Sequence, residues 1–295
     1  MRGRGPRLRG GAVTPWLLLL PSFAFLAVFT LFPIFKTIYL SFFQSDLGAP
    51  HPVFIGLSDY SQLMKDPIFW RSLENNLLFA LGTVPVSIAL GLLMAECVNR
   101  KLKAGGLVQT LFFYPVIIPL IAVANIWSFL YSASSPLAAV LAWFHVYHFS
   151  PLSQSGTVLA ALIVMIVWKE AGFYMIFYLA ALKNLPQEVY EAAEIDGIPP
   201  FYRFRKVTFP LLMPTTLFCL VMATANAFKL VDHLVVMTQG GPDNASNMLL
   251  YYIYQMAFQF MDNGKAATLT IVVLLLLTVI FCVQFFSTDR KIHYD

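Results

Sequence analysis

The chain has 295 residues, of which 59% are hydrophobic and 12% charged, and a formal net charge of +4. A soluble domain carries about 25% charged residues, so water is excluded as the main solvent of this chain. The small positive charge gives no basic face for nucleic acid, because the cations gather at the ends of long apolar runs, where Lys and Arg orient a membrane protein.

Arg2, Arg4, Arg7 and Arg9 open the chain, and an apolar stretch follows from Trp16 to Pro33. A secretory signal has an apolar core of roughly 7–15 residues with a small-x-small cleavage site after it. This stretch is longer and no such site follows, so it is expected to stay as a first span over 15–41. Five more stretches reach the roughly 20 apolar residues that cross the hydrocarbon core, at 76–98, 107–131, 156–182, 211–237 and 265–286. The runs are continuous, and none alternates with period two as the strands of a membrane barrel do. The expected fold class is an all-α membrane protein of six transmembrane helices. It comprises a tail over 1–14, one helical domain over 15–286 and a second tail over 287–295. Pro85, Pro115, Pro119 and Pro214 sit within or at the ends of these spans. Each removes a backbone hydrogen bond, so bent helices are expected.

Lys and Arg divide unevenly between the segments outside the spans. Thirteen lie in the N-terminal tail, the segment between spans two and three, the 183–210 segment and the C-terminal tail, against three in the alternate segments, namely Lys65, Arg71 and Lys265. Cation excess marks the cytoplasmic side, which places both termini in the cytoplasm, in agreement with an even number of spans. Cys97, Cys219 and Cys282 fall within apolar runs without the spacing of a metal site and read as small packed residues. His145 and His148 lie in an external segment and read as solvated or interfacial. The chain has no G-x-x-x-x-G-K-[ST] phosphate loop, no H-E-x-x-H and no nucleophile elbow. No catalytic residue and no metal ligand is therefore assigned.

One extramembrane segment, 183–210, mixes acids, bases and prolines. Pro186 near the start and Gly197 near the end bracket a short helix. Pro199-Pro200 then leads to a second amphipathic piece, Phe201 to Thr208, and to span five. Glu191-Ala192-Ala193 is followed after three residues by Gly197, and after nine more by Val207-Thr208-Phe209-Pro210.

With these residues the chain resembles the integral-membrane subunits of bacterial ABC importers, whose cytoplasmic signature is Glu-Ala-Ala, three residues, Gly, nine residues, then Ile-x-Leu-Pro. Val207 and Phe209 depart from the pattern but remain apolar. The stretches Phe54 to Tyr60, Val167-Trp168-Lys169 and Met237 to Pro242 look like the carbohydrate-uptake branch of that family, close to glycerol-3-phosphate and disaccharide permease subunits. The resemblance implies a subunit of the bacterial inner membrane that works with a second permease subunit, two ATPase subunits and an extracytoplasmic solute-binding protein. It implies no cofactor bound by this chain, since ATP and Mg are bound by the ATPase partner. It also implies that a loop helix carrying Glu191, Ala192, Ala193, Asp196 and Gly197, with Pro210 closing the signature, docks on the ATPase. The residues are compatible with that role. Ala192 and Ala193 permit close approach, Gly197 permits a positive φ, and Glu191 offers a charge to a partner cation.

Charged side chains cost about 2.5–3.5 kcal/mol at a helix centre in the membrane, so those within the spans call for a role. Lys169 and Glu170 lie in span four, and Lys229 and Asp232 in span five. The last two stand at i,i+3, on one face of a continuous helix, and read either as a local ion pair or as pathway lining. Trp168, Phe173 and Tyr174 suit stacking on a sugar, while Asn226 and Lys229 can donate to hydroxyl or phosphate oxygens. In the family, the spans flanking the coupling loop line the solute path. That points to Trp168, Glu170, Phe173, Tyr174, Asn226 and Lys229, and to a neutral or singly anionic polyol as solute. An ion-gradient transporter or channel is the alternative class. It would show inverted repeats and intramembrane acids, and neither pattern is clear here.

Overall fold

A computed structural model describes residues 14–45, 52–99, 105–145 and 149–289. Arg2, Arg4, Arg7, Arg9, Arg100, Lys101, Lys103, His148, Arg290 and Lys291 lie outside the described residues.

The first span, α1 (Trp16–Leu40), buries none of its apolar stretch within the chain. A short antiparallel ribbon follows, with β1 (Phe43–Gln44) paired to β2 (Val53–Phe54). Next come α2 (Ser58–Leu63) and the long α3 (Pro67–Asn99). The latter starts well before the expected 76, because Asp66 accepts the Ile68 amide at 2.8 Å and Pro67 suits the first helical position. Tyr252 donates its hydroxyl to the other Asp66 oxygen. Burial, with Asp66 beside it, holds that phenol protonated above its usual range.

The third stretch is α4 (Gly105–Ile117) and α5 (Leu120–Leu130), turned 95° from each other. The single span expected over 107–131 is thus broken. Pro119 has no N–H to give the Pro115 carbonyl, and a residue preceding proline is disfavoured in the helical region. After α6 (Pro136–Trp143), α7 (Val158–Lys183) forms the fourth span. The loop helices α8 (Gln187–Ile195) and α9 (Pro200–Arg203) lead to α10 (Met213–Lys229) and α11 (Asp232–Met237). The last two elements, α12 (Leu249–Tyr254) and α13 (Asn263–Asp289), complete the chain. Among the described residues five helices are long and apolar enough to cross a membrane, or six if α4 and α5 count as one span.

The fifth span is also interrupted, although no proline or glycine marks the place. Leu230 is extended at φ −77°, ψ 114° between α10 and α11. In a continuous helix the Val231 amide would bond the Ala227 carbonyl. Here the buried Asn76 side chain of α3 takes that carbonyl instead, at 3.2 Å.

The core lies where α3 packs along α7, the most extensive helix pair, with α10 laid against both. Phe79, Leu162, Met165, Tyr174, Met175 and Tyr178 are almost completely buried there. The two half-helices beyond the breaks, α5 and α11, pack on each other. The segment after α11 is tied to α3 by Asn75, whose amide donates to the Asn244 and Asn247 carbonyls at 2.8 and 2.9 Å.

Candidate functional site

Glu170, Phe173, Tyr174 and Phe177 stand at i, i+3, i+4 and i+7 of α7 and therefore share one helical face. That face meets α10 along a seam. The Tyr178 hydroxyl donates to Thr216 Oγ1 at 3.1 Å, Phe177 packs on Phe218 with ring centroids 4.9 Å apart, and Asn226 Nδ2 donates to Glu170 Oε2 at 3.2 Å. Around Glu170 a narrow polar pocket opens between three helices. Thr83 and Ser87 come from α3, Glu170 and Tyr174 from α7, and Asn226 from α10, with Val84, Ile166, Ala223, Ala227 and Leu230 as apolar walls. Ser87 Oγ is buried without a hydrogen-bond partner, so the pocket holds unused capacity beside a carboxylate. Thr83 and Ser87 were not singled out from the sequence. Hydroxyls at i,i+4 in an apolar run were the available signal, and a serine or threonine in a membrane helix usually bonds its own backbone, as Thr83 does to Phe79 at 2.7 Å.

Of the residues expected to line a pathway, the structure gathers Glu170, Tyr174 and Asn226, with Phe173 against Tyr174 at 5.4 Å between centroids. It leaves two aside. Trp168 turns toward the third span and packs on Trp127 at 5.6 Å. Lys229 is exposed at the end of α10. Of the two readings of Lys229 and Asp232, the local ion pair does not form. The helix breaks between them, which removes the i,i+3 geometry, and among the described residues the ion pairs within 4 Å are Arg71–Glu74 and Lys265–Asp262.

Lys169 has a different destination from its neighbour. It is buried, and its Nζ donates to the carbonyls of Ile118 at 3.0 Å and of Pro115 and Val116 at 3.4 Å each. These are the acceptors that the end of α4 and the missing Pro119 N–H leave free. Gly172, one turn along, permits this approach, since a Cβ there would collide with the Phe112 carbonyl of α4. The ammonium therefore caps the broken third span and is not part of the polar pocket.

On the 183–210 loop, α8 carries Glu191, Ala192 and Ala193. Glu191 and Asp196 are exposed and Ala193 is buried. The helix ends with Gly197 at φ +66°, and the Ile198 amide reaches back to the Ala193 carbonyl at 3.0 Å, a left-handed glycine cap. Tyr190 fastens the loop to the foot of the fifth span. Its hydroxyl shares a hydrogen bond with Thr208 Oγ1 at 2.9 Å, and the Arg203 guanidinium lies 5.5 Å over its ring. Ile195 is 86% exposed and Phe201 76% exposed beside those charges. Pro210 is exposed at the start of the fifth span.

Residues 87–293 match the family of the binding-protein-dependent transport system inner membrane component. The chain belongs to this family. It is 33% identical to the lactose transport system permease protein LacF of Rhizobium radiobacter, over 95% of each chain. It is 30% identical to the sn-glycerol-3-phosphate transport system permease protein UgpA of Yersinia pestis, over 95% of this chain and 96% of that one. Its fold matches that of a bacterial ABC transporter involved in the import of the acidic polysaccharide alginate, with a TM-score of 0.82 and 22% identity, over 94% of this chain and 95% of the other. As a member of this inner-membrane family the chain is a multi-pass transport subunit.

Proposed function

We propose that this permease forms half of the pathway of an ATP-driven importer for a polyhydroxylated solute, a sugar or a glycerol-phosphate-type compound. The second half is another permease subunit. Two ATPase subunits bind ATP and Mg, a solute-binding protein delivers the cargo outside, and both termini face the cytoplasm. The α8 loop receives the motion of the ATPase, with Glu191, Ala192, Ala193, Asp196 and Gly197 at the contact and Pro210 where the motion enters the fifth span. The solute passes Glu170, Tyr174 and Asn226, with Phe173 alongside. Trp168 and Lys229 act around this path, not in the pocket itself.

The observation that carries the reading is the loop. A charged segment outside the membrane spans exposes Ile195 and Phe201, two large apolar side chains that suit burial against a protein partner. The same loop is bonded to the base of the fifth span through Tyr190 and Thr208, so a push on α8 is passed to a pathway helix. In the assembled importer, Glu191→Lys reverses a contact charge, and Gly197→Pro forces φ near −65° where the chain is at +66°. Both variants should insert normally and lose the stimulation of ATPase activity by loaded binding protein. Normal stimulation in both would reject the coupling role.

A further inference from the structure

Glu170 is the one charged side chain among those lining the pocket between α3, α7 and α10. Its neighbours there are hydroxyls and an amide: Thr83, Ser87, Tyr174 and Asn226. Asn226 donates a single hydrogen bond to Glu170 Oε2, and a carboxylate offers about four acceptor positions. Two cations stand close in sequence, and neither forms an ion pair with it within 4 Å. Lys169 spends its donors on the carbonyls of Pro115, Val116 and Ile118. Lys229 is exposed and does not line the pocket, and beyond the break Asp232 adds a further negative charge. The pocket therefore combines a surplus of acceptors with a carboxyl group that has no ion-pair contact within 4 Å among the described residues, in apolar surroundings where charge interactions are much less screened than in water.

We propose that Glu170 selects by charge, favouring neutral polyhydroxylated solutes in this half of the pathway and opposing solutes that carry phosphate or carboxylate. The inference rests on the pathway assignment above and narrows it. A sugar hydroxyl donates to Glu170 and accepts from Asn226, and the free Ser87 hydroxyl serves in either sense. A phosphate brings only acceptors and like charge to the same place. The exposed Lys229 does not offset this, because it stands outside the pocket.

The test uses the assembled importer in lipid vesicles, with ATP inside and the solute-binding protein outside, and the thiol reagents themselves are the probes, so the solute need not be known. Ser87→Cys places a thiol in the pocket in a chain whose native thiols are removed by Cys97→Ala, Cys219→Ala and Cys282→Ala. Its rate of modification during turnover is measured with methanethiosulfonates bearing a trimethylammonium, a neutral methyl or a sulfonate group. Each rate is normalised to that with a free thiol in solution. The cationic reagent should exceed the anionic one by about tenfold or more, an energy difference of 1.4 kcal/mol per tenfold. Glu170→Gln should bring the ratio close to one, and Glu170→Asp should keep it. If Glu170→Gln does not assemble, Asn226→Lys supplies the decision, since an ammonium beside Glu170 should lower the ratio. A ratio near one in the parent, or one unchanged by Glu170→Gln and Asn226→Lys, overturns the charge selection. Failure of even the neutral reagent to reach Cys at position 87 during turnover overturns the pathway assignment instead, so the two ideas fail separately.

Discussion

Lys169 shows how a charge is kept inside a membrane domain without serving the solute. Its burial would cost about 2.5–3.5 kcal/mol on insertion scales, and three backbone carbonyls of the broken third span offset that cost. A hydrogen bond to a charged group is worth about 1.5–3 kcal/mol, and its loss leaves the carbonyls bare in a medium without water. Lys169→Met should therefore lower the melting temperature of the purified importer, while Lys169→Arg, which keeps the donors, should retain most of it. Adding Pro119→Ala to Lys169→Met should recover part of the loss, because an amide at 119 can take the Pro115 carbonyl. A fluorescence size-exclusion melt of the three variants decides the matter, and a Lys169→Met complex as stable as the parent would refute the capping role. The sequence marks Lys169 as costly but cannot give its partners, since backbone carbonyls leave no trace in residue identity. The same blindness allowed the Lys229–Asp232 ion pair as one of two readings, which presumes a helix continuous through Leu230.

At the scale of elements, two spans are broken, and in each a polar side chain from a neighbouring helix takes over a freed carbonyl. Lys169 does so for the third span and Asn76 for the fifth. One break was legible and the other was not. Pro119 forbids a bond that any reader of the sequence can name, whereas the fifth span breaks at Leu230 and Val231, where a side chain of α3 takes the carbonyl that continuity would use. Asn76→Val should remove the competing donor at a cost of about 1 kcal/mol for a lost net hydrogen bond, with a further 1–3 kcal/mol if the Ala227 carbonyl stays unpaired. Amide exchange measured by mass spectrometry over residues 227–237 should slow in this variant, because the Val231 amide can then bond the Ala227 carbonyl. Unchanged protection there would mean that the break is held by packing and not by Asn76. The loop helix α8, by contrast, follows from Pro186 and Gly197, and α9 from Pro199-Pro200, because fixed and positive φ values are properties of single residues.

Across the whole molecule the apolar runs mark the long helices within a few residues except at the start of α3 and across the bend between α4 and α5, since the length of a membrane helix is set by the bilayer. The shift at the start of α3 arises because Asp66 and Pro67 extend that helix beyond its apolar part. The site was legible only in its members, Glu170, Tyr174 and Asn226, and not in its shape, because which faces of α3, α7 and α10 meet is decided by packing. Orientation is argued from charge alone, with thirteen Lys and Arg on one side against three on the other. Single cysteines placed beside Lys103 and Arg205 should resist an impermeant thiol reagent added to intact cells and react once the membrane is opened. Labelling from outside at either position would reverse the proposed topology. The bend in the third span carries a consequence for ancestry as well as for structure. An inherited change that restores an amide at Pro119 takes one acceptor from Lys169, while loss of Lys169 first strands the carbonyls around the turn. Each substitution alone is disfavoured and the pair is tolerated, so related chains should change both positions or neither. An aligned set of relatives in which the two vary independently would contradict this.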